Sequence, residues 1–364
     1  MTQFSFLQRE HFQQLIDVVK SQGYSCIGPK VQDSTIVYGD IGSTDQLPKG
    51  IEDQQAPGRY NLNTQHHSRY FAWANGPQAI KPYSFAPQET LWQCTRDSQG
   101  NLQFDAQIPD SKPMAIIGVR ACDLAALQLQ RDHFLHQQYS DPWFRQRTSN
   151  LLLIAVHCSH PSSNCFCHAT GDGPVATQDC DIAMHELEEG FLITASSAKG
   201  ETILNRLPLQ MTTDEIKQQA EQQVQSAINK QTKTLPKNVK DALQDKLDHP
   251  YWKKIGERCL SCGNCTSVCP SCFCHQQHEQ LAIDDNSSSH YREWSSCFTH
   301  SHGYLAGYQF RPATWHRYRQ WLTHKFSGWH DQYHRSGCVG CGRCITWCPA
   351  GIDVTEELEQ LCNS

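Results

Sequence analysis

Two stretches decide the organisation of this chain: CLSCGNCTSVCP at residues 259–270 and CVGCGRCITWCP at residues 338–349. Each contains four cysteines in the order Cys-x2-Cys-x2-Cys-x3-Cys, followed by proline. This is the spacing of the two-cluster bacterial ferredoxins, in which three thiolates of a tight loop hold one [4Fe–4S] cluster and the fourth cysteine ligates the other cluster. The sequence therefore predicts two [4Fe–4S] clusters with crossed ligation.

Crossed ligation divides the eight cysteines into two ligand sets. The first cluster is assigned Cys259, Cys262, Cys265 and Cys348, and the second cluster is assigned Cys338, Cys341, Cys344 and Cys269. Zinc is the alternative metal, and it would make this region a structural zinc-binding module. Zinc sites use their ligands as two separated pairs, whereas each run here places four cysteines within eleven residues. The spacing therefore favours iron–sulfur clusters.

Composition excludes several other classes of protein. The chain has 364 residues, 19 cysteines, 38% hydrophobic residues and a net charge of −6. The acidic balance argues against a nucleic-acid partner, and no apolar run approaches the roughly 18 residues that a membrane helix needs. The opening residues, MTQFSFLQRE, lack the basic and apolar regions of a signal peptide. We therefore expect a cytoplasmic protein whose thiols bind metal instead of forming disulfides.

The first half of the sequence reads as mixed α and β structure. Apolar runs at residues 114–119 and 151–156 predict two buried strands, and the helical spacing of the leucines between them predicts a βαβ unit. An opening helix is predicted over Phe4–Lys20, and residues 39–87 are rich in turn-forming residues. A polar, helical stretch begins at Thr212 and is split at Pro236.

These patterns predict an α+β fold in three parts. A mixed α/β N-terminal domain covers residues 1–211, a helical linker covers residues 212–249, and a ferredoxin-like, two-cluster, largely helical C-terminal domain covers residues 250–364. We expect the stretch RPATWHRYRQWLTHKF at residues 311–326 to form a helix packed on the clusters, with Arg317, Arg319 and Lys325 facing a partner or solvent.

Further cysteines follow both predicted strands of the βαβ unit. Cys122 comes after the first strand, Cys158 after the second, and Cys165 and Cys167 follow shortly. Because sites usually form at the ends of parallel strands, these four cysteines are a candidate ligand set for a third [4Fe–4S] cluster in the N-terminal domain. The alternative is that they are buried as small hydrophobic residues.

The sequence also contains cysteines outside these ligand sets, and it lacks the common catalytic and nucleotide-binding motifs. Three more cysteines, Cys272, Cys274 and Cys297, have no obvious cluster to serve and are expected to be buried near the clusters. No dinucleotide-binding or phosphate-binding glycine motif is present, and no nucleophile–base pair is evident. We therefore expect no catalysis by this chain alone, and expect another polypeptide to carry the two-electron chemistry.

Six blocks in a fixed order resemble a known family. They are IGVRACDL (117–124), HCSHPSSNCFC (157–167), CLSCGNCTSVCPSCFCH (259–275), REWSSC (292–297), RYRQWLTHKF (317–326) and CVGCGRCITWCP (338–349). Together they are similar to the iron–sulfur β subunit of cytosolic NAD(P)-linked [NiFe] hydrogenases, also called sulfhydrogenases. The A subunit of anaerobic sulfite reductase shares the pattern.

The resemblance implies an electron-transfer subunit of a hetero-oligomer. Such a subunit relays single electrons between a flavin- and NAD(P)-binding subunit and a catalytic [NiFe] hydrogenase subunit. The alternative is the same role in an anaerobic sulfite reductase, whose catalytic partner carries sirohaem. The resemblance also favours the third cluster, because all four candidate ligands fall in blocks that the family shares.

Overall fold

The computed structural model describes residues 4–110, 112–176, 179–283 and 286–363. Its strands, in chain order, are β1 (Ser5–Gln8), β2 (Ser25–Gln32), β3 (Thr35–Asp40), β4 (Ile51–Ala56), β5 (Arg59–Thr64), β6 (Gln88–Arg96), β7 (Leu102–Ala106), β8 (Met114–Val119), β9 (Leu151–Val156), β10 (Ile182–Glu186), β11 (Gly190–Ala195), β12 (Gln210–Met211), β13 (His275–Leu281), β14 (Ser287–Trp294), β15 (Tyr304–Leu305) and β16 (Tyr308–Gln309).

Helices surround these strands and dominate the second half of the chain. They are α1 (Phe12–Ser21), α2 (Lys81–Ser84), α3 (Ala121–Phe134), α4 (Pro142–Ser149), α5 (Cys167–Thr170), α6 (Ala198–Leu204), α7 (Asp214–Asn229), α8 (Val239–Asp245), α9 (Tyr251–Arg258), α10 (Asn264–Ser267), α11 (Thr314–Thr323), α12 (Trp329–Tyr333), α13 (Arg343–Thr346) and α14 (Val354–Asn363). Within the described residues, none of them has the length and apolar character needed to cross a bilayer. The mixture of helices and several sheets confirms the predicted α+β class.

The largest sheet holds eight of the described strands, in the order β12-β1-β11-β10-β9-β8-β2-β3. The four strands β2, β8, β9 and β10 run parallel to their neighbours within this group, and the outer strands pair antiparallel. The predicted strands at residues 114–119 and 151–156 are confirmed as β8 and β9, and α3 lies between them in the chain. The predicted βαβ unit is therefore correct.

The two central strands are buried on both faces. In β8, Ala115 and Ile117 pack into one hydrophobic cluster while Ile116 packs into another. In β9, Leu152 and Leu153 divide between the same two clusters. Alternate side chains of a strand point to opposite faces, so a continuous apolar run is what a parallel strand covered on both faces requires.

The predicted opening helix over Phe4–Lys20 is wrong in its first part. Residues 5–8 form β1, which pairs antiparallel with β11, and the helix begins at Phe12. Within the helix, the apolar side chains of Phe12, Leu15, Ile16 and Val19 are all fully buried. The helix could be predicted from its apolar periodicity. The strand could not, because β1 has only four residues and forms by pairing with β11, which is distant in the sequence.

A second sheet joins strands that are distant in the sequence. Its order is β13-β14-β6-β7, and β14 pairs with β6 over residues 287–293 and 88–95. It therefore combines strands from the predicted N-terminal and C-terminal parts. The turn-rich region at residues 39–87 also contains the β4–β5 hairpin. The polar stretch after Thr212 forms α7 and α8, with Pro236 in the loop between them.

Candidate iron–sulfur sites

The two ferredoxin-type runs fold into loops of the same shape. Ser261 and Gly340, each two residues after the first cysteine of its run, have φ angles of 55° and 62°. In both loops the backbone N–H of that residue points at the preceding sulfur, at 3.4 Å for Ser261 N to Cys259 Sγ and for Gly340 N to Cys338 Sγ. Amide hydrogen bonds to sulfur are among the factors that set a cluster's reduction potential.

One cavity contains the complete predicted ligand set of the first cluster. It encloses about 450 Å³ of empty space, partly open to solvent. Five cysteines line it, and four of them are the predicted set: Cys259, Cys262 and Cys265 from the first run and Cys348 from the second. The fifth is Cys344. Its walls are aromatic, formed by Phe298, Tyr318 and Trp321. The structure thus brings these four thiols together around one space.

A second cavity contains the predicted ligand set of the second cluster. Its lining includes Cys338, Cys341, Cys344 and Cys269, and it encloses about 370 Å³. Phe166 and Phe326 cover it, and Cys344, Trp321 and Val354 line both cavities. The two spaces therefore share a wall. Each cavity receives its fourth cysteine from the other run, as crossed ligation requires.

The donor set in these cavities suits iron–sulfur clusters. Burial raises the pKa of the Cys338 thiol to about 12, so an apolar environment favours the protonated thiol until a metal replaces the proton. A single zinc ion would need its ligand atoms converged at about 2.0–2.3 Å from one point. Within residues 4–110, 112–176, 179–283 and 286–363, no group of three or more His, Cys, Asp or Glu side chains is placed to hold one ion.

The third candidate set also converges. Cys122 is the second residue of α3, three residues beyond the end of β8, and Cys158 follows β9 by two residues. Electrostatic interactions connect Cys167 to Cys158 and Cys165, and connect Cys122 to Cys167. All four thiols therefore lie in one region, at the carboxyl ends of two neighbouring parallel strands, where sites in such sheets form.

A buried arginine accompanies this third set. Arg120 is 3% exposed, and its Nη2 donates to the carbonyl oxygens of Phe71 and Trp73 at 2.7 and 2.8 Å. Its Nε and Nη1 atoms are buried and have no hydrogen-bond partner among the described residues. The guanidinium group interacts electrostatically with Cys158. A buried cation with free donors next to several thiols is what an anionic group bound there would need.

Cys180 does not belong to this group of thiols. It lies in a hydrophobic cluster and interacts with Ser196 and Asp181.

The third set lies against the second cavity. The Cys165 thiol is 3.8 Å from the carbonyl oxygen of Cys341, and the backbone N–H of Phe166 donates to Gly340 O at 2.8 Å. A Cβ atom at Gly340 would lie 2.5 Å from the Phe166 backbone, and one at Gly342 would lie 2.4 Å from Asn164 O. These glycines are therefore needed because two backbones pack directly on each other.

Sequence reasoning missed a buried ion pair that connects the same two segments. Arg343 Nη2 lies 2.7 Å from Asp123 Oδ1, and their side chains are 2% and 0% exposed. The Asn75 amide donates to the other carboxylate oxygen of Asp123 at 2.5 Å. Asp123 follows the candidate ligand Cys122, and Arg343 precedes Cys344. The signal that could have found the pair is the presence of both residues inside the cysteine-containing blocks.

The expected orientation of Lys325 is wrong. Within residues 311–326, α11 covers Thr314–Thr323, and a π-helical turn over His324–Gly328 continues it. Lys325 lies in this turn and is 4% exposed. Its ammonium donates to Ser271 Oγ and Gly337 O, each at 3.1 Å, and its side chain lines the second cavity. Arg317 is half-buried and donates to Ser261 Oγ at 3.0 Å, on the first cluster loop. The negative charges expected at the clusters explain why these cations point inward.

Comparison with known proteins agrees with this geometry. The family model described as a 4Fe-4S dicluster domain matches residues 258–352. The chain is 26% identical to the sulfhydrogenase 2 subunit beta of Pyrococcus furiosus, over 98% of this chain and 97% of that protein. No solved structure matches the chain. The predicted resemblance to the iron–sulfur β subunit of sulfhydrogenases is confirmed, and an electron-transfer role is supported.

Proposed function

We propose that this chain is an electron-transfer subunit that relays single electrons between a flavin- and NAD(P)-binding subunit and a catalytic [NiFe] hydrogenase subunit. The observation that carries the proposal is the pair of adjoining cavities, each lined by the first three thiols of one run and the fourth thiol of the other, with Cys344 on the wall they share. The full-length similarity to a sulfhydrogenase β subunit supports the same role. No catalytic step is assigned to the chain itself.

The proposed ligands are those that line or approach each space. Cys259, Cys262, Cys265 and Cys348 would hold the first [4Fe–4S] cluster, Cys338, Cys341, Cys344 and Cys269 the second, and Cys122, Cys158, Cys165 and Cys167 a third. When bound, the clusters supply one-electron transfer. The protein supplies thiolates, amide donors to sulfur, and aromatic walls that keep water away from the second cavity.

The three sites would form one continuous path through the molecule. The first and second cavities share Cys344 and Trp321, and the third set touches Cys341 of the second. Cys262 is exposed, so the first site is open to a partner at one end of this path. We also propose that the chain divides into three parts, with boundaries at residues 211 and 249. The second sheet joins the N-terminal part, through β6 and β7, to the C-terminal part, through β13 and β14.

The partner could instead be a sirohaem-containing catalytic subunit, as in anaerobic sulfite reductase, because the A subunit of that enzyme has the same cysteine pattern. The carrier chemistry would be unchanged. We place the complex in the cytoplasm because unbridged thiolates persist there as metal ligands.

The test is metal analysis of the protein purified without oxygen. We expect about 8 iron atoms per chain for the two ferredoxin-type clusters, and about 12 if the third site is filled. Zinc in place of iron would refute the proposal. To identify the partner, the complex should be purified from its native cells and analysed for nickel and for the absorption of sirohaem. Nickel in stoichiometric amount supports the hydrogenase assignment, and sirohaem without nickel refutes it.

A further inference from the structure

A short hairpin in the C-terminal part exposes large apolar side chains. Its strands, β15 and β16, pair with each other and with no other described strand. The exposed fractions are 54% for Tyr304, 67% for Leu305, 65% for Tyr308 and 60% for Phe310. A two-stranded hairpin alone is only marginally stable in water, so this one needs a contact beyond its own two strands.

Three of these side chains form one surface, the hairpin face, made of Leu305, Tyr308 and Phe310. Leu305 and Tyr308 are directly opposite each other in the two strands, and opposite side chains lie on the same face of a sheet. The ring centres of Tyr308 and Phe310 are 5.0 Å apart. Clustered apolar side chains that remain exposed mark interaction sites, and aromatic residues are enriched in such interfaces.

Hydrogen bonds attach the base of the hairpin to the first ferredoxin-type loop. The backbone N–H of Phe310 donates to Gly303 O at 2.8 Å, which closes the base. Arg317 connects this base to the loop, because its Nε donates to Arg311 O at 3.1 Å and its Nη1 donates to Ser261 Oγ at 3.0 Å. The hairpin therefore has a defined position beside that loop.

The same loop forms the solvent-open end of the first site. Ser261 lies between Leu260, which is 66% exposed, and Cys262, which lines the first cavity. Cys262 is more exposed than the other proposed ligands, so a redox partner comes closest to a cluster at this loop. The hairpin face and Leu260 therefore border the position where that partner has to bind.

The sequence around the hairpin is positively charged. Residues 294–330 contain four Arg or Lys residues and no Asp or Glu, although the whole chain has a net charge of −6. At the base of the hairpin, the Arg311 guanidinium donates to His302 O at 2.9 Å, and among the described residues it forms no ion pair with Asp or Glu. Complementary charges face each other across protein interfaces, so this surface fits a partner with an acidic rim.

We propose that the hairpin face and Leu260 dock the partner protein that exchanges electrons with the first cluster, and that this partner presents an apolar patch with an acidic rim. The inference rests on the proposed function, because it assigns the binding position of a partner in that relay. The hairpin face supplies the apolar centre of the contact, and Arg311 supplies positive charge at its edge. Docking here places the partner next to the exposed ligand Cys262.

The first test measures how tightly the partner binds to variants of this surface. Tagged chains are expressed in the native cells and purified without oxygen together with their partner subunits, which mass spectrometry identifies. In the first variant, Leu305 and Tyr308 are replaced by Ser. In the matched control, two apolar residues that are even more exposed, Tyr139 and Met211, are replaced by Ser. Dissociation of each complex on dilution is followed by sedimentation, and iron is measured per chain.

We expect the first variant to bind the partner at least about tenfold more weakly than wild type, because aromatic anchors at the centre of an interface carry much of its binding energy. Its iron content should equal that of wild type, since neither replaced side chain lines the first or the second cavity. The control should match wild type in both measurements.

A single position in the turn of the hairpin tests the charge of the partner. Ala306 is exposed and has a φ angle of 50°, a conformation that Asn and Asp adopt more readily than most side chains. Ala306→Asp therefore adds a negative charge that this backbone accommodates, and Ala306→Asn is its neutral control. We expect Ala306→Asp to bind the partner several-fold more weakly than Ala306→Asn at low ionic strength, and this difference to vanish at about 1 M salt.

The outcomes separate this inference from the proposed function. If wild type contains iron and the first variant binds the partner as tightly as wild type, the docking surface is refuted and the proposed function stands. Equal weakening in the control variant would also refute the docking surface. If wild type contains no iron, the proposed function fails and the inference fails with it. Should the first variant lose iron through misfolding, the Ala306 variants decide: weaker binding of the Asp variant supports the docking surface, and equal binding of the two refutes it.

Discussion

Crossed ligation predicts a specific pattern of iron loss in double variants. Each cavity is lined by the first three thiols of one run and the fourth thiol of the other, with Cys344 on the wall they share. Cys259 and Cys348 would therefore serve the same cluster although they are far apart in sequence. Replacing either by Ala should remove one cluster, about 4 iron atoms per chain, and replacing both should remove no more than about 4. Combining Cys348→Ala with Cys338→Ala, which lies in the same run, should instead remove about 8 iron atoms per chain, because these two cysteines are assigned to different clusters.

The measurement is iron and sulfide per chain in the single and double variants, analysed as a double-mutant cycle. Local ligation, in which each run holds its own cluster, predicts the reverse: about 8 iron atoms lost for the Cys259 and Cys348 pair, and about 4 for the Cys338 and Cys348 pair. That result would refute the assignment. Cys362→Ala serves as the control, since this cysteine lies in α14 and belongs to none of the proposed ligand sets.

Three further changes test the surroundings of the clusters. Asp123→Asn leaves the buried guanidinium of Arg343 without a counter-charge and should lower the free energy of unfolding, measured by chemical denaturation, by about 3–5 kcal/mol. As the control, Asp214→Asn in the exposed pair with Lys217 should lower it by at most about 1 kcal/mol. Burial lowers the pKa of His185 to about 4 and that of the adjacent His157 to about 3, so below about pH 6.5 the unfolded chain binds protons that the fold does not. His185 should account for a loss of up to about 3 kcal/mol of stability from pH 6.5 to pH 4, and His185→Phe should remove that share of the dependence while His157 keeps its own. Lys325→Met removes a buried cation from the second cavity and should lower that cluster's potential in a redox titration followed by paramagnetic resonance, while the exposed Lys240→Met should not.

The parts of the fold that could be predicted are those with a strict local rule. The spacing of eight cysteines gave the ligand sets that the two cavities contain, since three thiols separated by two residues must line the same loop. The strands β8 and β9 were predictable because a continuous apolar run of six residues is typical of a buried strand and too short for most helices. The proposed third set rests on one further rule, that parallel strands end at the same edge of a sheet.

The parts that could not be predicted depend on contacts between distant segments. β1 forms because it pairs with β11, and the sequence of its four residues does not indicate this distant partner. Lys325 belongs to a stretch whose basic residues suggested a solvated face, yet burial beside Cys269 and Cys338 places its ammonium inside. The glycines at 340 and 342 were interpretable as loop residues, but the backbone of residues 164–167 packed against them was not foreseeable.

The second ferredoxin loop lies next to all three candidate sites. Its residues line the second cavity, Cys344 reaches the first, and Cys341 touches the third cysteine set. In the proposed relay, the separations of the three sites would need to stay fixed, so the loop that borders all of them needs a well-defined position. Direct backbone packing at Gly340 and the buried Arg343–Asp123 pair both act on this loop. A buried ion pair contributes little net stability but is costly to break, which makes it suited to holding one position rather than to strengthening the fold.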